Sequence, residues 1–140
     1  MPALNINDYW IRWLQSQVPS GAVTDGASFI TATSANQANA NAVATLPGVA
    51  GKFTYIQGFQ CTASGATAGL AVTVTVTGIT TPMNFTFIYP AGVAVGATPL
   101  VVNFPQPIPS SAVNTAIVVT LPASGAGGTN ATAAAWGYQL

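Results

Sequence analysis

The sequence predicts an all-β protein: an eight-stranded antiparallel β-sandwich of the jelly-roll type over residues 28–140, behind an N-terminal arm, residues 1–27, that carries one short amphipathic helix. Three observations predict it. Gly69 to Gly78 reads Gly-Leu-Ala-Val-Thr-Val-Thr-Val-Thr-Gly, so Leu70, Val72, Val74 and Val76 share one face of an extended chain while Ala71, Thr73, Thr75 and Thr77 share the other. Short runs rich in β-branched and aromatic residues recur along the chain, separated by Pro, Gly, Ser and Ala clusters that punctuate local structure. Only the stretch before Pro19 has apolar residues at helical spacing instead.

Residues 5–17 read Asn-Ile-Asn-Asp-Tyr-Trp-Ile-Arg-Trp-Leu-Gln-Ser-Gln, with Ile6, Tyr9, Trp10, Trp13 and Leu14 on one stripe. Asn5 or Asn7 caps the start, Asp8 complements the positive end of the helix dipole, and Asp8 and Arg12 pair four residues apart. Val18-Pro19 stops the helix. A helix this short is marginal alone in water, so Tyr9, Trp10, Trp13 and Leu14 must bury against a partner surface. That surface is either an opening in the chain's own domain or another subunit. The linker Ser20-Gly21-Ala22-Val23-Thr24-Asp25-Gly26 has the composition of a flexible tether, which is compatible with both.

Strands are expected near 28–34, 40–46, 52–62, 69–78, 83–89, 99–105, 114–121 and 130–139. Leu46-Pro47-Gly48, Ala63-Ser64-Gly65, Thr81-Pro82, Pro90-Ala91-Gly92, Gln106 to Ser110 and Pro122 to Gly128 separate them. Many short strands with such turns belong to antiparallel sandwiches or barrels, and eight fit a double-sheet jelly roll. The aromatic residues Phe53, Tyr55, Phe59, Phe85, Phe87, Trp136 and Tyr138 read first as core. The run Asn103-Phe104-Pro105-Gln106-Pro107-Ile108-Pro109 differs, because alternate prolines cannot serve a central ladder. It is either a protected sheet edge or a stiff docking strip built from Phe104, Pro105, Pro107 and Ile108.

Composition narrows the function. At 140 residues the chain is one domain, able to bury about two-thirds of its unfolded surface. Charged residues make up 3% of it, against roughly 25% in ordinary soluble domains. They are Asp8, Arg12, Asp25 and Lys52, and none follows Lys52. Phosphate binding needs clustered Lys and Arg, so nucleic acid is not an expected partner, and the same lack removes an electrostatic membrane anchor. No stretch of about 18 uninterrupted apolar residues supports a membrane span, and Met1 to Gln17 lacks the basic start and apolar centre of a signal peptide. Cys61 is the lone cysteine, so an intramolecular disulfide is impossible and it reads as a small buried hydrophobe.

Catalytic constellations are scarce. There is no histidine and no glutamate, which removes His-based triads and histidine metal sites. Asp8 and Asp25 lie in the arm, so the sheet body has no carboxylate pair for glycoside hydrolysis. Gly125-Ala126-Gly127-Gly128 has no lysine after it and reads as a loop, not a phosphate cradle. No cofactor or metal is expected, and no enzyme activity.

The Thr/Val strands, the Ala-Ser-Gly turns and the closing Ala135-Trp136-Gly137-Tyr138-Gln139 resemble the small jelly-roll capsid cement, or decoration, proteins of bacteriophage heads, such as those of short-tailed Bordetella phages. The resemblance implies a virion protein on the outer surface of the capsid, bound to the major capsid protein and to itself as a dimer or trimer. It supplies no active-site residues. A carbohydrate- or receptor-binding β-sandwich of a phage tail or cell surface is the alternative, since aromatic platforms and neutral hydroxyls suit sugars.

Overall fold

The computed structural model describes residues 26–92, 98–125 and 127–140, and among them no helix occurs. The expected helix at 5–17, with Tyr9, Trp10, Trp13 and Leu14, lies outside the described residues. Eight strands form: β1 (Ser28–Thr33), β2 (Ala42–Leu46), β3 (Thr54–Ser64), β4 (Leu70–Thr77), β5 (Met83–Tyr89), β6 (Leu100–Pro109), β7 (Ile117–Leu121) and β8 (Asn130–Gln139). They make two antiparallel four-stranded sheets, one in the order β1-β8-β3-β6 and the other β2-β7-β4-β5. The two sheets bury their apolar faces against each other as a sandwich.

Alternation decides which residues meet between the sheets. Ala42, Ala44 and Leu46 of β2, Val74 and Val76 of β4, and Ile117, Val119 and Leu121 of β7 are fully buried. They face Ile56, Phe59 and Cys61 of β3 and the alanine row Ala131, Ala133 and Ala135 of β8. Small side chains on β2 and β8 let these two strands pack closely. Burial fades toward one end of β4: Leu70 is 42% exposed and Val72 half-buried. The cause is pairing, because β4 meets β7 only over Thr75 to Thr77, and its first half is held by β5 alone.

Alternation breaks once, and the break matters. In β3, Thr54 and Ile56 point inward, but so do Phe59, Cys61 and Ala63, because Gln57 is an extra residue in the pairing with β8. Across the other edge the insertion is larger. Ile56 pairs with Ile108 and Gly58 with Asn103, so Phe104 to Pro107 bulge opposite Gln57. The proline run expected to separate strands is therefore a bulged part of β6, which extends to Pro109. It forms the sheet edge, where a missing N–H costs no ladder bond.

A buried polar knot closes one end of the sandwich. The carbonyl of Pro47 accepts from Thr54 Oγ1 at 2.8 Å and from Gln139 Nε2 at 2.7 Å. The hydroxyl of Ser110 accepts from the Thr54 N–H at 3.1 Å and donates to the Ala112 carbonyl at 2.8 Å. Thr54, Ser110 and Gln139 are all buried, so their polar side chains rely on these bonds in place of water. Either donor alone keeps the carbonyl paired, whereas losing both leaves it without a protein partner. Thr54→Val and Gln139→Met are each expected to cost about 1 kcal/mol, and the double variant more than their sum. Urea unfolding of the four-member cycle checks this, and simple additivity contradicts it.

Candidate functional site

The sandwich leaves two outward sheet faces of different chemistry. On the β1-β8-β3-β6 sheet, cross-strand register lines up Phe29, Tyr138, Tyr55 and Pro109 in one row running from one edge to the other. The Tyr55 and Tyr138 rings stack, with centroids 4.8 Å apart and planes 12° apart. Phe29 at the β1 edge stays 61% exposed, whereas Tyr138 in the middle of the row is only 8% exposed. Burial pushes the Tyr138 phenol up from its ordinary value, with a further rise from the charge of Tyr55. Beside this row the Trp136 indole lies over Gly58, where a Cβ would come within 2.6 Å of the ring. Phe53 and Leu140 extend the β3–β8 ladder by two backbone hydrogen bonds and continue the apolar corner.

Farther along the same sheet the lining turns polar. A cleft of 210 Å³ is bordered by Asn36, Thr62, Ser64, Asn130 and Thr132. Asn36 Nδ2 donates to Asn130 Oδ1 at 2.9 Å, Asn130 Nδ2 donates to Ser64 Oγ at 3.2 Å, and the Thr62 and Thr132 hydroxyls bond each other. These groups largely satisfy one another. What the cleft offers a ligand is neutral hydroxyl and amide chemistry.

The outer face of the β2-β7-β4-β5 sheet is the threonine face. Thr73 lies opposite Thr86, Thr75 lies between Asn84 and Thr120, Thr77 opposite Val118, and Val118 and Thr120 in turn face Thr45 and Val43. Thr73 and Thr77 are exposed and Thr75 is half-buried. Lys52 is the one charged side chain between residues 26 and 140, and it lies in the β2–β3 connection, outside both sheets. Neither outward face thus carries a charge along its strands.

The strip singled out in the sequence is divided by the structure. Phe104 and Ile108 pack against the core, with the Phe104 ring 6.3 Å from that of Phe59, while Pro105 is exposed and Pro107 half-buried. The aromatic row, by contrast, had no signature in the linear chain. Phe53, Tyr55 and Phe59 share sequence parity, and only the extra residue at Gln57 sends Phe59 inward and leaves the other two outside. Phe29 joins them from a strand more than twenty residues away. A second open cavity, of 380 Å³, adjoins the other sheet's edge beside Ile88, Pro90 and Pro99.

Among the described residues no cluster of three metal-ligating groups occurs. Cys61 is fully buried, and burial pushes its thiol up to about 12. Tyr89 is also fully buried, donates to the Pro122 carbonyl at 2.7 Å, and is pushed up to about 12 by burial and then by the Cys61 charge. Both groups hold their protons in the folded chain at pH values where the unfolded chain releases them. Their contribution to stability is therefore complete below the ordinary values of 9.0 and 10.0 and is lost as pH rises toward about 12. Unfolding free energy is expected to decline over that window and to be level from pH 6 to 8. A Cys61→Ala variant whose alkaline decline equals that of the parent contradicts the assignment to the thiol.

No family model, no curated protein and no solved structure matches this chain.

Proposed function

We propose that this chain is a structural, non-catalytic assembly protein that binds the outer surface of a bacteriophage capsid and cements neighbouring capsomers as a homodimer. The observation that carries the reading is the uncharged threonine face of the β2-β7-β4-β5 sheet on a body with a single charged side chain. An assembly held at high copy number tolerates the low colloidal repulsion of such a surface, and neutral hydrogen bonds and methyl contacts depend little on salt. Strand orders β1-β8-β3-β6 and β2-β7-β4-β5 support the finer description of the sandwich as a jelly roll, with two interleaved sheets of four strands. The major capsid protein is the proposed partner, and the threonine face is the proposed contact.

Co-sedimentation with empty phage heads tests this. Bound copies per particle are expected to be unchanged between low salt and about 1 M NaCl, where the Debye length falls to about 3 Å. Thr73→Glu places an unpaired charge in the middle of the proposed contact and is expected to weaken binding more than tenfold while leaving the urea midpoint nearly unchanged. Occupancy that collapses with salt, or that ignores Thr73→Glu, overturns the assignment of this face.

The second reading, a carbohydrate-binding sandwich, is favoured by one observation: the neutral Asn/Thr cleft and the aromatic row lie on the same sheet. Against it, Tyr55 and Tyr138 cover each other's ring faces, leaving Phe29 as the most open ring of that row. A glycan array separates the two, with sugar binding abolished by Phe29→Ala supporting the second.

A further inference from the structure

The aromatic corner of the β1-β8-β3-β6 sheet is an apolar patch with no occupant among the described residues. Phe29, Phe53, Tyr55, Trp136, Tyr138 and Leu140 converge there from three strands and the ends of two. Phe29, Phe53 and Leu140 remain exposed, which leaves the Phe29 ring at the sheet's edge largely in water. The described chain begins beside it: β1 opens at Ser28, one residue before Phe29, and Gly26 has φ +85°, a conformation that turns the backbone. Residues 1–25 therefore enter the structure at the rim of this patch.

We infer that the chain's own segment 5–17 docks on this patch, laying Tyr9, Trp10, Trp13 and Leu14 across Phe29, Tyr55 and Trp136. Dimensions agree. Thirteen residues at helical spacing extend about 20 Å, and four strands at about 4.8 Å spacing put Phe29 and Pro109 about 14 Å apart. The ten-residue connection 18–27, with its Gly, Ser and Ala content, has a typical span of about 17 Å. It reaches the middle of the sheet from the edge where the chain enters. Attachment by so short a tether gives an effective concentration in the millimolar range, which favours the chain's own sheet over a second copy at ordinary protein concentration. Chemistry agrees as well, because aromatic rings on both sides supply edge and face contacts, Asp8 and Arg12 fall on the opposite side of the segment at helical spacing, and Lys52, next to Phe53, is the one charged side chain bordering the patch. The docking leaves the threonine face free and does not depend on what that face binds.

The test is paramagnetic relaxation in the full chain. Asn5→Cys, at the far end of the segment and off its aromatic stripe, accepts a spin label, while Cys61, fully buried, does not react. Labelling an isotopically enriched chain is expected to broaden the amide signals of Phe29, Tyr55 and Trp136 and to spare those of Val43 and Thr73 on the other sheet. Adding Trp10→Ala and Trp13→Ala to the labelled chain is expected to remove that broadening. Broadening that is absent, falls on the other sheet, or survives both tryptophan substitutions overturns the inference. So does broadening seen only when an unenriched labelled chain is mixed with an enriched unlabelled one, which would assign the patch to a second copy.

Discussion

Phe59→Ala is expected to destabilise the fold by about 4 kcal/mol, the range found when a fully buried phenylalanine is truncated and its surroundings collapse incompletely. Phe59 is completely buried between the sheets, edge-on to Phe85 at 5.1 Å and tilted against Phe104 at 6.3 Å. It therefore joins the sheet it belongs to, the opposite sheet and the bulged edge strand. Phe53→Ala is the comparison, since Phe53 is 37% exposed and of the same sequence parity; its cost is expected to stay under about 1 kcal/mol. Urea midpoints at constant m-value decide between them. Equal losses at the two positions would mean that the extra residue at Gln57 does not set the inward direction of Phe59.

The second large effect is expected at Gly137, near the C-terminal end of β8. A Cβ there would lie 1.8 Å from the Tyr55 carbonyl oxygen and 2.9 Å from its carbon, both main-chain atoms of the neighbouring strand. No rotamer relieves such a contact. Gly137→Ala must force β3 and β8 apart where Tyr55 and Tyr138 stack, at a cost of about 3 kcal/mol. Gly51→Ala separates crowding from backbone conformation, because Gly51 has φ +76° but open space around its missing side chain. Its cost is expected to be about 1 kcal/mol, the ordinary penalty for a left-handed alanine. A Gly137→Ala protein as stable as Gly51→Ala would show that the two strands yield easily.

Most of the strand pattern was legible because the two-residue period of a half-buried strand is written directly in residue order. Val74 and Val76, Phe85 and Phe87, and Ile117, Val119 and Leu121 each announce their strand without reference to any other. Strand ends were less legible. The chain from Asn114 to Ala116 reads as extended, but Asn114 has φ +57° and β7 starts only at Ile117. Proline was misleading in one place: in Asn103 to Pro109 it marked an edge, as its missing N–H requires, but it did not end the strand, because a bulge opposite Gln57 takes up four residues.

The candidate surfaces divide along the same line. The threonine face was readable from Thr73, Thr75 and Thr77, since one strand's outer side depends only on its own alternation. That Thr86 and Thr120 complete it required the register of β4 with β5 and β7. The aromatic row was not readable at all. Phe29, Tyr55 and Tyr138 are far apart in sequence, and Tyr55 and Tyr138 read as core when taken alone.

By itself, then, the sequence determined a sheet body of eight strands in a chain nearly free of charge and without histidine or glutamate, because composition and alternation are local properties. Only the tertiary structure decided which aromatic residues are core and which form a surface. One extra residue at Gln57 reverses every later side chain of β3, and pairing with strands from both ends of the chain then brings the outward rings together.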